Sequence, residues 1–193
     1  MKLVRSWPET IPPDRSYIVD DIPKFIMGKD GDRQYDYRYL LDLNDDVVLI
    51  EWDIAVGAEH LAAFMARAKA EPDRVRVAPY VLYRRASRQG PAHRRSSAPI
   101  RGQIPFYVHR LRSHKERCWV RGPQDTHCQM FGFGLVYLPQ KLLQAFVDQM
   151  DPASHFGDSE FSRWHMKNVA DPDVPIDCDI PLVHLHYNPV EVP

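Results

Sequence analysis

Two short motifs place metal-binding side chains at alternating positions along predicted strands. Glu51 and Asp53 follow the apolar run VVLI, and His184 and His186 lie in the segment PLVHLHYN. In an extended chain, side chains two residues apart point to the same face, about 6.6 Å apart, so each pair can approach one cation. Carboxylate and imidazole groups suit Mn²⁺ or Mg²⁺ and leave positions for a phosphate. The sequence therefore predicts a divalent-metal site built from Glu51, Asp53 and His184 or His186.

Each pair also has a purely structural explanation. An acid that follows a strand often caps a helix or is solvated, and a strand histidine is more often a hydrogen-bonded core or edge residue. One alternative function is therefore a nucleic-acid-binding or assembly protein without catalysis. A metal-dependent phosphoesterase or nuclease is another, although the sequence offers no clear carboxylate cluster for a second metal ion.

The patterns along the chain predict one α/β domain with a mostly parallel sheet flanked by helices. The run VVLI predicts a buried strand of such a sheet, because it is continuously apolar. Residues 1–40 are predicted to be irregular and polar, apart from a short strand at 16–19. Further strands are predicted at 74–83, 131–139 and PLVHLHYN, and helices at 57–70, at 141–150 after Pro139, and from 158 to about 168.

Composition narrows the class of protein. The chain has 193 residues, a formal net charge of −1 and three cysteines without CxxC spacing. This length favours a single domain, and no segment approaches the roughly 20 apolar residues that span a bilayer. These features predict a soluble cytoplasmic protein with reduced cysteines and no membrane partner.

The order of the motifs resembles that of the nucleotide-sugar glycosyltransferases of the GT-A fold. The segments VVLIEWDIAV, VAPYVLY, GFGLVYLP, DSEFSRWH and PLVHLHYN carry this resemblance over roughly residues 40–188. It implies a GT-A-like (Rossmann-like) domain that moves a sugar from a nucleotide-sugar donor, with a UDP-sugar as the expected donor, to an acceptor hydroxyl. Two features depart from the family: the acidic motif is ExD rather than DxD, and the opening nucleotide-binding strand is not evident near the N-terminus.

The resemblance also implies roles for individual residues. Glu51 and Asp53 would bind Mn²⁺ or Mg²⁺ and the donor diphosphate, with a further metal ligand from His184 or His186. The glycines of FGFG, Gly132 and Gly134, would shape the donor-sugar pocket.

Two acids of DSEF would face the acceptor. If the enzyme inverts, a carboxylate must accept the proton of the attacking hydroxyl, and Glu160 is the first candidate and Asp158 the second. Their structural alternative is an N-cap for Asp158 and a first-turn acid for Glu160. The sequence does not distinguish retention from inversion.

A basic segment, residues 84–121, suggests an acceptor. It carries eleven Lys or Arg residues and one acid, Glu116. Such a surface suits a phosphate backbone, which makes modified DNA a candidate acceptor. The alternative is a solvated, mobile loop that covers the donor diphosphate, since loops gate many active sites.

Overall fold

The computed structural model describes residues 1–8, 20–25, 35–79, 126–150 and 157–182, and the backbone alone of 26, 81–82, 106–107 and 183–184. Eleven strands and four helices form within these residues. The strands are β1 (Lys2–Trp7), β2 (Lys24–Ile26), β3 (Val47–Ile50), β4 (Ile54–Val56), β5 (Arg76–Ala78), β6 (Val81–Leu82), β7 (Phe106–Tyr107), β8 (His127–Cys128), β9 (Leu135–Leu138), β10 (Val174–Pro175) and β11 (Leu182–His184). The helices are α1 (Tyr37–Asp42), α2 (Ala58–Ala70), α3 (Gln140–Gln149) and α4 (Asp158–Asn168).

The central sheet is mixed. Its five strands lie in the order β2-β1-β3-β9-β5, with β1 parallel to both β2 and β3. Strand β9 is antiparallel to both of its neighbours, β3 and β5, and so runs against the other four strands. The predicted α/β class is confirmed, and the sheet is mixed, with four of its five strands running in one direction. The apolar run of β3 could not show this, because a strand covered on both faces is apolar whatever the direction of its neighbours.

Two hydrophobic clusters cover the two faces of this sheet. Along β3, Val47 and Leu49 belong to one cluster and Val48 and Ile50 to the other, as the two-residue period of a strand requires. The first cluster includes buried side chains of α1, α3 and α4, and the second includes those of α2. Each fully buried Leu, Ile, Val or Phe contributes about 1.5–3 kcal/mol relative to an exposed one. Burial on both faces therefore holds β3, and the residues that follow it, in a fixed position.

The N-terminal part of the chain is more regular than predicted. Residues 2–7 form β1, which lies between β2 and β3, so the prediction of an irregular segment 1–40 is wrong there and at β2. The sequence KLVRSW does not predict a buried strand because Arg5 and Ser6 are polar. Both residues are nevertheless buried. The predicted strand at 16–19 lies outside the described residues.

The other predicted elements agree with the structure in most places. Helices α2, α3 and α4 are confirmed, with Pro139 at the N-cap position of α3. The predicted strand at 74–83 is two short strands, β5 and β6. Apolar periodicity located these helices because each one buries a single face against the sheet.

Helix α1 begins at a well-formed cap. The Asp36 carboxylate accepts hydrogen bonds from the backbone amides of Arg38 and Tyr39, both at 3.0 Å. We expect Asp36→Ala to lower the free energy of unfolding by about 1 kcal/mol, because two helical amides lose their acceptor. Urea unfolding followed by circular dichroism measures this loss. Asp36→Asn keeps an accepting oxygen and should retain most of the stability; an equal loss in both variants would contradict the capping role.

Candidate active site

The predicted carboxylate pair lies on a tight turn, which we call the acidic turn (residues 51–54). The backbone amide of Ile54 donates to the carbonyl oxygen of Glu51 at 3.1 Å, so the chain reverses through Trp52 and Asp53. The expectation of one extended strand through Glu51 and Asp53 is therefore wrong. The reversal has a physical reason: β3 pairs within the main sheet, whereas β4 leaves it and pairs with β11. Both residues still follow a buried strand, on a turn rather than on one strand face.

Gly134 contacts this turn through its backbone. Its carbonyl oxygen accepts from the backbone amide of Glu51 at 2.9 Å, which extends the pairing of β3 with β9 by one hydrogen bond. Gly132 is buried two residues earlier. The structure thus places the predicted FGFG motif next to the acidic turn, with direct contact at Gly134.

Arg5 of β1 fixes the backbone of the acidic turn. Its side chain is 1% exposed, and Nη1 donates to the carbonyl oxygens of Glu51 at 2.8 Å and Ile54 at 2.9 Å. The other side of the guanidinium, Nε and Nη2, binds Oδ2 of Asp20 at 3.1 and 2.6 Å. A guanidinium presents several donors in a rigid fork, so one side chain holds both ends of the turn.

Tyr35 fixes the side chain of Glu51. The tyrosine is 1% exposed and its hydroxyl donates to Oε1 of Glu51 at 2.9 Å. Burial raises the pKa of Tyr35 well above its ordinary value, and the negative charges of Glu51 and Asp158 raise it further. The phenol therefore stays protonated at neutral pH and acts as a permanent hydrogen-bond donor to the carboxylate.

Two residues further along, Tyr37 contacts the start of α4. Its hydroxyl donates to the carbonyl oxygen of Gly157, the N-cap residue of this helix, at 3.0 Å. Burial raises the pKa of Tyr37 well above its ordinary value, with smaller contributions from Asp158 and Glu160. Segment 35–37 thus connects the acidic turn with the first turn of α4.

The two acids of α4 have different surroundings. Both lie in the first turn of the helix, which confirms the predicted place of Glu160, whereas Gly157 rather than Asp158 occupies the N-cap. The Ser159 hydroxyl donates to Oε2 of Glu160 at 3.0 Å, and Nη1 of Arg163 lies 3.7 Å from Oε1 of Glu160. The negative charge of Asp158 raises the pKa of both Tyr35 and Tyr37, and that of Glu160 raises the pKa of Tyr37. Asp158 is therefore the acid more closely associated with Tyr35, the partner of Glu51.

The backbone of His184 lies beside the acidic turn. In the antiparallel pairing of β11 with β4, His184 is the register partner of Ile54, which directly follows Asp53. The side chain of His184 and the whole of His186 lie outside the described residues. Among the side chains that are described, no three His, Cys, Asp or Glu residues are close enough together to hold a metal ion.

The chemistry of these groups is nevertheless compatible with a divalent cation. Glu51 and Asp53 carry carboxylate oxygens of the kind that hard divalent cations bind, and the backbone of His184 is paired next to them. In metal sites, hydrogen bonds from neighbouring residues orient the carboxylates that bind the metal, and the bond from Tyr35 to Glu51 is of this kind.

Other predictions fall largely outside this region. The basic segment 84–121 lies outside the described residues except for the backbone of β7, which pairs with β6. No helix in the described part of the chain is long and apolar enough to cross a membrane.

The sequence analysis did not identify Arg5, Tyr35 or Tyr37 as residues of the site. The closely spaced tyrosines of YDYRY were the only local signal for the two tyrosines.

Comparison with known proteins supports the fold alone. No protein-family model matches the chain, and no curated protein matches it at a significant level. The crystal structure of A197 from STIV is similar, with a TM-score of 0.53 and 13% sequence identity over 97% of this chain and 96% of that chain. At this identity the similarity extends to the overall α/β fold along nearly the whole length of both chains.

Proposed function

We propose that the protein is a metal-dependent glycosyltransferase, which moves a sugar from a nucleotide-sugar donor to an acceptor hydroxyl. The observation that carries this proposal is the connection made by segment 35–37. Tyr35 binds Glu51 of the acidic turn, and Tyr37 binds the N-cap of the helix that bears Asp158 and Glu160. A group-transfer enzyme of this kind needs both functions in one place: ligands for the donor diphosphate and a carboxylate for the acceptor.

The acidic turn is the donor side of this site. Glu51 and Asp53 would hold the cation, with His184 or His186 as a further ligand. When bound, Mn²⁺ or Mg²⁺ stabilises the negative charge that develops on the leaving diphosphate. The chain itself supplies rigidity, because Arg5 fixes the backbone of the turn and Gly134 accepts from its first amide. A UDP-sugar is the donor to test first.

The first turn of α4 is the acceptor side. In an inverting transfer, a carboxylate takes the proton of the attacking hydroxyl as the new bond forms. We assign this role to Asp158 rather than Glu160, because Asp158 directly follows Gly157, whose carbonyl accepts from Tyr37, and its charge also acts on Tyr35. The acceptor is a hydroxyl-bearing molecule, for which modified DNA is a candidate through residues 84–121.

Donor binding is the first test of the proposal. We expect a UDP- or GDP-sugar with Mn²⁺ to stabilise the wild-type protein and to fail to stabilise Asp53→Ala. A ligand at one hundred times its Kd adds about 2.7 kcal/mol. For a domain of this size each kcal/mol raises Tm by about 2–4 °C, which a thermal-shift screen detects and calorimetry then quantifies.

A matched control removes a carboxylate elsewhere. Asp148 is exposed on α3 and accepts a local hydrogen bond from Gln144, so Asp148→Ala should respond to the donor like the wild type. If no nucleotide sugar binds while duplex DNA does, the glycosyltransferase proposal fails and a nucleic-acid-binding function replaces it.

A further inference from the structure

The acidic turn is held in two independent ways. Arg5 binds its backbone carbonyl groups, whereas Tyr35 binds the side chain of Glu51. Only the second contact touches a carboxylate that would bind a ligand. Tyr35 is therefore placed to influence ligand affinity without determining the path of the backbone.

The position of Tyr35 is itself fixed. Its ring packs against Phe133 with centroids 5.0 Å apart and against Tyr37 with centroids 6.3 Å apart. All three rings are buried. A side chain that is packed on these sides loses little further entropy when its hydroxyl holds a carboxylate, so the hydrogen bond is preorganised.

We infer that Tyr35 is a positioning residue for the metal-binding carboxylate Glu51. The tyrosine fixes the orientation in which Glu51 meets a divalent cation, as outer contacts do for the ligands of many metal sites. This inference rests on the proposed function, since it assumes that the acidic turn binds a metal ion. It assigns to the protein a residue that acts on the metal through Glu51 and does not itself touch the metal or the substrate.

The test is the affinity of the protein for Mn²⁺ alone, measured from the decrease of the free Mn²⁺ signal in electron paramagnetic resonance. We expect Tyr35→Phe to weaken Mn²⁺ binding about tenfold, the lower end of the effects seen when such outer contacts are removed. The substitution keeps the ring and its packing against Phe133, so the fold should be retained.

Tyr137 provides the matched control. It is also 1% exposed, and its hydroxyl lies 2.8 Å from Oδ2 of Asp46, which precedes β3. Tyr137→Phe thus removes a buried phenol–carboxylate hydrogen bond at the opposite end of the same strand. It should lower the thermal midpoint as Tyr35→Phe does and leave the Kd for Mn²⁺ unchanged.

A double-mutant cycle separates positioning from general damage. If Tyr35 acts through Glu51, adding Tyr35→Phe to Glu51→Gln should cause no further loss of Mn²⁺ affinity. Equal affinities of wild type and Tyr35→Phe, or equal losses in Tyr35→Phe and Tyr137→Phe, would overturn the inference and leave the proposed function standing. A wild-type protein that binds no Mn²⁺ would overturn both.

Discussion

Arg5→Met is expected to lower the free energy of unfolding by about 3–5 kcal/mol and to remove the binding of Mn²⁺ and nucleotide sugar. The substitution leaves Asp20 without its guanidinium partner and deprives the carbonyl groups of Glu51 and Ile54 of a donor. Breaking a buried ion pair on one side typically has this cost. Urea unfolding measures the stability, and calorimetry with Mn²⁺ and the donor measures binding under conditions where the variant is folded.

A second buried arginine, Arg76, is the control that distinguishes the loss of stability from the loss of ligand binding. Arg76 is 8% exposed and pairs with Asp177 at 2.7 Å and with Glu71 at 3.0 Å, without a contact to the acidic turn among its described hydrogen bonds. Arg76→Met should lose comparable stability and keep ligand binding. Asp20→Asn is the milder variant, because it removes the charge and leaves the bonds from Arg5 to the turn. If Arg5→Met binds the donor as tightly as wild type, Arg5 is not a support of the site.

The sequence was sufficient to predict those elements of the fold that local residue patterns determine. Apolar spacing located α3 through Leu143 and Phe146, which are both buried, and the run VVLI located β3. The acids of DSEF were placed correctly in the first turn of α4. These features depend on residues within one or two turns of each other, so a single sequence contains the relevant information.

The sequence was insufficient where distant residues decide the structure. The turn at 51–54 has no Gly or Pro to mark it, and Arg5, which holds it, is 46 and 49 residues away from its two carbonyl partners. Strand β1 was missed for the same reason, since a buried arginine is acceptable only once these partners are in place. The direction of β9 depends on pairing with β3 and β5, which the apolar run of each strand does not specify.

The connection within the site was the least predictable feature. Tyr35 reaches Glu51 across 16 residues of sequence, and Tyr37 reaches Gly157 across 120. The resemblance to the GT-A family implied that Glu51, Asp53 and the acids of α4 belong to one site. Segment 35–37 connects these two parts of the chain through the hydroxyl groups of two buried tyrosines, which is consistent with the proposed site.

Asp158→Asn is expected to lower kcat by about 10²–10⁴-fold once an acceptor is identified, because the amide cannot accept the proton of the attacking hydroxyl. Donor affinity should remain close to wild type, since the acidic turn is intact. The change in stability should be small, about 0.3–1 kcal/mol from the lost charge at the N-terminus of the helix. Single-turnover product formation and calorimetry with the donor measure the two quantities separately.

Two further variants decide whether this effect belongs to Asp158. Glu59 is the exposed first-turn acid of α2, so Glu59→Gln removes an equivalent charge from a helix on the other face of the sheet and should leave kcat unchanged. Glu160→Gln should have a smaller effect than Asp158→Asn, because Asp158 follows the N-cap residue that Tyr37 binds and is the acid assigned as the base. A larger loss in Glu160→Gln would reverse the assignment of the base. Full activity in both α4 variants would instead favour a transfer without a general base on this helix.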